Sequence, residues 1–479
     1  MASETIDSQI IDSRSSDGES IARHRVLPLH LNPAELLMLA QDLPGLPSTF
    51  VVQLDLRGQI DRSSFEAAIP EAIDRHPLLQ AFIQLGKGGL QCWTAAKNRL
   101  PPLDWAVDCV PMSCPVGEAI DLARDTGLRI WVRQGTEQAR VLFQFHHACS
   151  DGTGAYRFIG DLLACYGART DTMGTPPRLA PVRPQMLRSR TDRLLGAPFS
   201  PRTSWPAGLA ESWRILVRRP APLAPPTGRR AGCRTNDFPG FLTMSMDRAE
   251  HQFLRRAAEE VGATLNDLLL RDMFLALDDW NQQQGFRRRG RRLRIMMPTD
   301  LRDSEDCEMP AANLTSYAFL NRNARKWGSP NELLLSIRAE TELSKSSRLG
   351  KKFMHILDRA SRRKWLLPFI LSRNVCLATV VLSNAADPSR RFTARFPRQS
   401  GRVVCGNLVL DAITGVPPLR LKTRATFSIS QYNRRLAISL RCDPYYFGLE
   451  DTAMLLDTYV RRLRQSAGLS GCNPRLFVS

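Results

Sequence analysis

Two neighbouring imidazoles, followed at once by a carboxylate, are the residues of this chain whose types and spacing could do chemistry. They stand in Val141-Leu-Phe-Gln-Phe-His146-His147-Ala-Cys149-Ser-Asp151-Gly152-Thr153. Imidazole is the side chain best matched to proton transfer near neutral pH. One within hydrogen-bond reach of a hydroxyl or amine contributes roughly 10²- to 10⁴-fold to a step that removes its proton. The period-two pattern puts Val141, Phe143, Phe145 and His147 on one strand face, and Leu142, Gln144 and His146 on the other. One histidine can then face a cleft while its neighbour is packed. An apolar face keeps an imidazole neutral, because lost hydration disfavours the cation. Asp151 stands where a carboxylate caps the next helix or braces a turn. Gly152 is expected to permit that turn. A helix follows over 153–167, with Tyr156, Ile159, Leu163 and Tyr166 on one stripe. Taken alone, paired histidines in an apolar strand are more simply explained by packing.

The elements that must position these residues spread over a long chain. At 479 residues with 43% apolar content, it is globular and exceeds one ordinary core, so two halves are expected. Residues 1–22 are rich in Ser, Asp and Glu and are expected to be disordered. They hold no apolar segment of a secretory signal, and no run of about 18 apolar residues follows. Eleven cysteines without CxxC pairs point to reduced thiols. Together these features predict a cytoplasmic protein.

The net charge of +19 calls for a polyanionic partner. The arginines are dispersed and no nucleic-acid-binding motif accompanies them, so nucleic acid is not expected. Coenzyme A phosphates, an acidic acyl-carrier protein or an anionic membrane face would suit. The arginine run 287–294 reads as a solvated loop. Lys351-Lys352 through Arg362-Arg363-Lys364-Trp365 is basic and then apolar, a pattern that suits packing or peripheral membrane contact.

The first half, 23–170, reads as strands over 49–58, 78–83, 90–93 and 128–133, a helix opened by Asp61, and a loop helix within 114–128 before the histidine-bearing strand. Residues 171–239 form a Pro/Arg-rich crossover, in which Trp205, Trp213, Ile215 and Leu216 are expected to dock. The second half, 240–479, opens with a strand at Phe241 and a helix over 247–261. A capping box from Thr264 to Asp267 starts the next helix. Strands follow over 293–298, 313–320, 380–384, 403–410, 425–431 and 436–443, with helices over 331–343, 351–371 and 449–465.

His146-His147-Ala-Cys-Ser-Asp151-Gly152 is an intact HHxxxDG. It resembles the signature of the chloramphenicol acetyltransferase-like superfamily, which includes condensation domains and wax ester synthase/alcohol acyltransferases. Leu56-Arg-Gly-Gln-Ile-Asp61 and Arg75-His76-Pro77 resemble the opening of those two branches. Gly262-Ala-Thr-Leu-Asn266-Asp267, Met297-Pro-Thr-Asp-Leu-Arg302, Asn313-Leu-Thr-Ser, Leu382-Ser383-Asn384 and Leu440-Arg-Cys-Asp443-Pro follow the wax ester synthase order. The resemblance covers about residues 27–463. The chain departs from the family after Ser383-Asn384, where Ala385-Ala386-Asp387-Pro388 replaces a Pro-Gly turn. The DFGWG motif of the plant branch is absent.

The resemblance implies an α/β fold of two chloramphenicol acetyltransferase-like halves, each a mixed β-sheet with helices, with a tunnel at their interface. It makes His147 the general base, His146 a supporting residue and Asp151 a structural one, with Arg302 as its candidate partner. Ser383 and Asn384 are candidates to orient the oxyanion or the substrate. Asn266 and Asn313 are read as satisfying backbone groups, and Cys149 as a small filler. A thioester is already activated, so one base, one oxyanion donor and a dry passage suffice, without a covalent nucleophile. The implied activity is transfer of an acyl group from coenzyme A to an alcohol, with no bound cofactor and no metal. Two alternatives stand beside it. One is a stand-alone condensation-type enzyme that takes its acyl group from an acyl-carrier protein and uses an amine or alcohol acceptor. The other is a non-catalytic binding protein on the same fold.

Overall fold

A computed structural model describes residues 26–86, 89–96, 99–115, 117–171, 174–196, 219–228, 238–286, 292–346, 349–361, 376–469 and 476–478. The proposed disordered terminus, Trp205, Trp213, Ile215 and Leu216 of the crossover, residues 287–291 of the arginine run and residues 362–365 of the second basic run lie outside the described residues.

The strands are β1 (Leu29–His30), β2 (Thr49–Arg57), β3 (Phe82–Leu85), β4 (Gln91–Thr94), β5 (Leu103–Val107), β6 (Leu128–Gln134), β7 (Gln138–His146), β8 (Leu242–Met246), β9 (Arg292–Asp300), β10 (Thr315–Asn323), β11 (Val380–Ala386), β12 (Arg398–Gln399), β13 (Arg402–Cys405), β14 (Leu408–Val416), β15 (Ala425–Tyr432), β16 (Arg435–Cys442) and β17 (Leu476–Val478). The main helices are α1 (Pro33–Ala40), α2 (Arg62–Asp74), α3 (Gly152–Arg169), α4 (Arg190–Leu195), α5 (Arg248–Glu260), α6 (Leu265–Gln283), α7 (Pro330–Ser346), α8 (Leu349–Ser361) and α9 (Leu449–Ser466).

Two seven-stranded mixed sheets carry the fold, as expected of the α/β class. One runs β12-β13-β14-β2-β7-β6-β5 and the other β10-β9-β11-β15-β16-β8-β17, beside a small sheet β1-β4-β3. The histidine-bearing β7 lies inside the first sheet between β2 and β6 and pairs antiparallel with both. Its residues from Val141 to His146 are buried, which is why Phe143, Phe145 and Leu142 can all be apolar. Strands β12–β14 come from residues 398–416, so the far half of the chain completes the sheet of the near half. A described part of the crossover is tied to the first half through a residue unnoticed in the sequence. Arg190 on α4 is buried and pairs with Glu35 on α1 at 2.8 Å.

Three local expectations are corrected. Residues Pro77–Gln80 form a helical turn, with Pro77 in the first position that its fixed φ favours, and the strand begins only at Phe82. The expected helix within 114–128 does not form among the described residues. The carbonyls there are taken by side chains from the sheet: Arg129 donates to Gly117 O at 2.8 Å and Ala119 O at 3.0 Å, and Gln144 to Glu118 O at 2.6 Å. The single strand expected over 403–410 is a hairpin. Gly406, at φ +60°, makes the turn, and a Cβ there would collide with Thr170 Oγ1 at 2.0 Å.

Candidate active site

β7 ends at His146, and the chain then crosses Ala148-Cys149-Ser150 into α3, which Asp151 caps through a 2.9 Å bond from Gly154 N–H. His146 is fully buried. Its Nδ1 accepts from Ala148 N–H at 3.1 Å, so the proton sits on Nε2, which faces Asp42 at 3.3 Å. Both nitrogens are engaged, and His146 is a bracing residue by geometry. Cys149 is also buried, donates to His146 O at 2.9 Å and abuts Gly127. Burial pushes its thiol well up, which removes it as a nucleophile.

His147 differs from its neighbour. Its ring packs on Phe50 with centroids 5.1 Å apart, and Phe50 in turn stacks on Phe145 at 5.3 Å. Its N–H donates to Ser48 O at 2.8 Å, and Asn313 Nδ2 donates to its carbonyl at 2.8 Å. The Nδ1 edge lies 3.4 Å from the same Asn313 amide. Among the described residues Nε2 has no hydrogen-bond partner. Burial, then the nearby Arg420, push the imidazole down to about 4, so it is neutral across the physiological range. A dry passage at this ring was expected. The residue is 8% exposed, with Phe50 against the ring and Asn313 at its Nδ1 side.

Asp151 and Arg302, 151 positions apart in sequence, meet at 2.7 Å. Asp151 Oδ2 also accepts from Leu314 N–H at 2.8 Å and Thr315 Oγ1 at 3.2 Å. Arg302 reaches Asp300 at 3.1 Å and donates to Ala312 O at 2.8 Å. Burial alone would raise the carboxyl of Asp151, but the Arg302 guanidinium outweighs it and holds it below the usual carboxylate range.

The turn role expected of Gly152 belongs elsewhere. Gly152 is the first helical residue, its φ is not positive, and a Cβ there would meet only Tyr156 at 3.9 Å. Gly154 is the glycine that geometry demands, since a Cβ on it would lie 2.6 Å from Ser150 Oγ and 3.0 Å from Ala312 N. Ser383 and Asn384 are not brought to His147. They lie on β11, where Asn384 Nδ2 donates to Asn266 Oδ1 at 3.1 Å on the rim of two cavities.

Sequence reasoning missed a cluster contributed from far along the chain. Residues 306–315 thread through the first half. Arg157 donates to Asp306 O and Met309 O, Ala311 N–H donates to His76 Nδ1, Asp151 N–H donates to Ala312 O, and Asn313 reaches His147. Arg420 donates to the Tyr317 hydroxyl at 2.6 Å and lies over that ring at 4.8 Å. Two cavities flank this ground. One of about 510 Å³ is lined by Asp300, Arg302, Leu382 and Asn384. Another of about 390 Å³ is lined by Leu46, Pro47, Leu419 and Arg441.

The first condensation domain of the calcium-dependent antibiotic synthetase, in complex with a substrate analogue, superposes on 94% of this chain and 99% of its own with a TM-score of 0.65. The fold is the two-lobed fold of a condensation domain. Sequence identity to that domain is 15%. The starter condensation domain of rhizomide synthetase, as a double mutant in complex with C8-CoA and Leu-SNAC, superposes on 96% of this chain and 97% of its own at a TM-score of 0.63 and 14% identity. In sequence the chain is 28% identical over 365 residues to the uncharacterized protein Rv2305 of Mycobacterium tuberculosis, covering 71% of this chain and 75% of that protein. No family model matches the chain. Among the described residues no helix is long and apolar enough to cross a membrane.

Proposed function

We propose that the protein transfers an acyl group from a thioester to a hydroxyl or amine, with His147 as general base. The observation that carries this reading is a neutral imidazole whose Nε2 is unengaged, clamped where the two halves meet. A ring with its proton on Nδ1, beside its own carbonyl, offers Nε2 to the acceptor. Nε2 takes the acceptor's proton as oxygen or nitrogen attacks the thioester carbon. The C–S bond then breaks, and the proton passes to the departing thiolate. The cavity beside Arg302 and the cavity beside Pro47, whose neighbour Ser48 accepts from His147 N–H, are the approaches this reading assigns to donor and acceptor. Asp151 and Arg302 are positioning residues that hold the turn bearing the base.

Coenzyme A as donor and an alcohol as acceptor is the narrower form of the proposal. It rests on the collinear wax ester synthase-like segments. A carrier-protein donor with an amine acceptor is favoured in turn by the fold neighbours, which are condensation domains. The test is thiol release by the purified protein from acyl-CoA and acyl-carrier protein, against a panel of alcohols and amines, with His147→Ala beside it. Acceptor-dependent release that His147→Ala abolishes supports the proposal. Release that is unaffected by His147→Ala, or ligand binding without release, would turn it toward a binding role.

A further inference from the structure

His147 is the first residue past the end of β7, and one more rung of the ladder fixes it. Thr49 on β2 pairs with His146, and beyond that pair His147 N–H donates to Ser48 O at 2.8 Å. The peptide groups around the base are held at three points: its N–H by Ser48, its carbonyl by Asn313 at 2.8 Å, and the N–H of Ala148 by His146 Nδ1 at 3.1 Å. Two of these three holds lead to one carboxylate. Asp42 Oδ1 accepts from Ser48 N–H at 2.8 Å, and Asp42 Oδ2 faces His146 Nε2 at 3.3 Å.

Local structure does not account for an acid at this position. Asp42 follows the cap residue of α1, Gln41, and its N–H donates to Leu39 O at 3.1 Å. A negative charge there is opposed by the negative end of the helix dipole. The turn after it closes on itself, with Leu46 N–H donating to Leu43 O at 2.9 Å and Gly45 at φ +81°. Among the described residues, the hydrogen bonds that tie the end of this turn back toward α1 are Ser48 N–H to Asp42 and Ser48 Oγ to Met38 O, each at 2.8 Å. The chemistry of the two donors also selects a carboxylate. His146 carries its proton on Nε2, so both groups facing Asp42 donate, and only a carboxylate offers an acceptor to each. An amide would turn its NH2 toward one of them.

We infer that Asp42 is a positioning residue for the base: through Ser48 on one side and His146 on the other, it sets the direction in which the His147 ring leaves the backbone. The ring then rests on Phe50, with centroids 5.1 Å apart, and its Nδ1 edge lies 3.4 Å from the Asn313 amide, which leaves Nε2 for the acceptor's proton. Asp42 lines none of the cavities described, so it acts through the backbone of the base and not on a ligand. A misplacement of about 1 Å at a reacting group costs roughly 100-fold in rate. The inference rests on the acyl-transfer reading and adds a residue to it.

The test compares wild type, Asp42→Asn, His146→Asn, the double variant, and Glu66→Gln, which removes a carboxylate from the exposed face of α2. Steady-state turnover is measured beside the ring signals of His147 in protein carrying isotope-labelled histidine, identified by their absence in His147→Ala. Because the ring packs on Phe50, its signals carry a ring-current shift that changes when the ring turns. Asp42→Asn should lower kcat by about 100-fold, leave the KM of the acyl donor within about twofold, and move the His147 signals. Its near-ultraviolet dichroism should stay native, since the replaced side chain is 23% exposed. His146→Asn keeps an acceptor for Ala148 N–H but loses the donor to Asp42, so the double variant should lose clearly less than the product of the two single losses. Glu66→Gln should stay within about twofold of wild type. A kcat within about threefold of wild type in Asp42→Asn, a raised KM with kcat held, an equal loss in Glu66→Gln, unmoved His147 signals, or losses that multiply in the double variant would each overturn the inference. Absence of wild-type turnover with every acyl donor would instead refute the acyl-transfer reading, and the His147 signals would still decide whether Asp42 directs the ring.

Discussion

Replacing Arg302 by methionine removes a guanidinium that is 4% exposed and faces Asp151, itself 1% exposed, at 2.7 Å. Methionine fills much of the volume but leaves two carboxylates, Asp151 and Asp300, without the cation that both contact. It also leaves Ala312 O without its Arg302 donor. Removing one partner of a buried pair costs about 3–5 kcal/mol, mainly through the charge left behind, a large share of a typical folding free energy of roughly 5–15 kcal/mol. Asp151→Asn should cost less, about 1–3 kcal/mol, because Arg302 keeps Asp300 and no carboxylate is left unpaired; the cost comes from the amide NH2 that then faces the Leu314 N–H and Arg302 donors. The double variant should then be more stable than Arg302→Met alone, since the uncompensated charge is gone. Urea midpoints of the four proteins measure this, with thiol release measured in parallel at concentrations where each is folded. A loss below about 1 kcal/mol in Arg302→Met, or loss of turnover with an unmoved midpoint, would refute the clamp and place Arg302 on the substrate.

Other consequences follow from the same geometry. His147→Ala should lower turnover by roughly 10²- to 10⁴-fold while the near-ultraviolet dichroism stays native, and a turnover within twofold of wild type would remove the base assignment. Because the folded pKa of His147 is depressed from 6.5 to about 4, the unfolded chain takes its proton first; this contribution to stability is present above pH 6.5 and falls away between pH 6.5 and 4. The loss amounts to about 3 kcal/mol. Buried His76 shifts in the same direction. Urea midpoints from pH 7 to 4 should therefore slope downward, less steeply in His147→Ala, and equal slopes would count against the shift. The turnover profile should keep its plateau below pH 6, since the ring stays neutral there. Gly152→Ala should change stability by less than about 1 kcal/mol, while Gly154→Ala should lose about 1–3 kcal/mol by overpacking, and the reverse order in thermal melts would contradict the packing of α3.

Much of the site was legible because its pieces are local. Strand alternation, a capping carboxylate and a helix all act within a few residues of His147, so their spacing survives in the letters. Arg302 was named as the partner of Asp151 through resemblance alone; the coordinates put it within hydrogen-bond reach. The fold class was likewise expected through the resemblance, and the two mixed sheets with their helices agree with it. Short-range errors came where side chains from the sheet took the carbonyls of Gly117, Glu118 and Ala119, which no local propensity reports.

What the sequence determined by itself is most of the strands and helices and the placing of two imidazoles and a capping carboxylate at the end of one strand, because hydrophobic period and capping act between residues close in sequence. Only the tertiary structure decided what surrounds that chemistry. Asn313 and Arg420 arrive from 166 and 273 positions beyond His147. Residues 398–416 close the sheet of the other half, and five arginines from distant segments share one cavity. No pattern within a segment carries such neighbours. They are set by which faces bury against each other once both halves have formed, and they decide which histidine keeps an unengaged ring nitrogen.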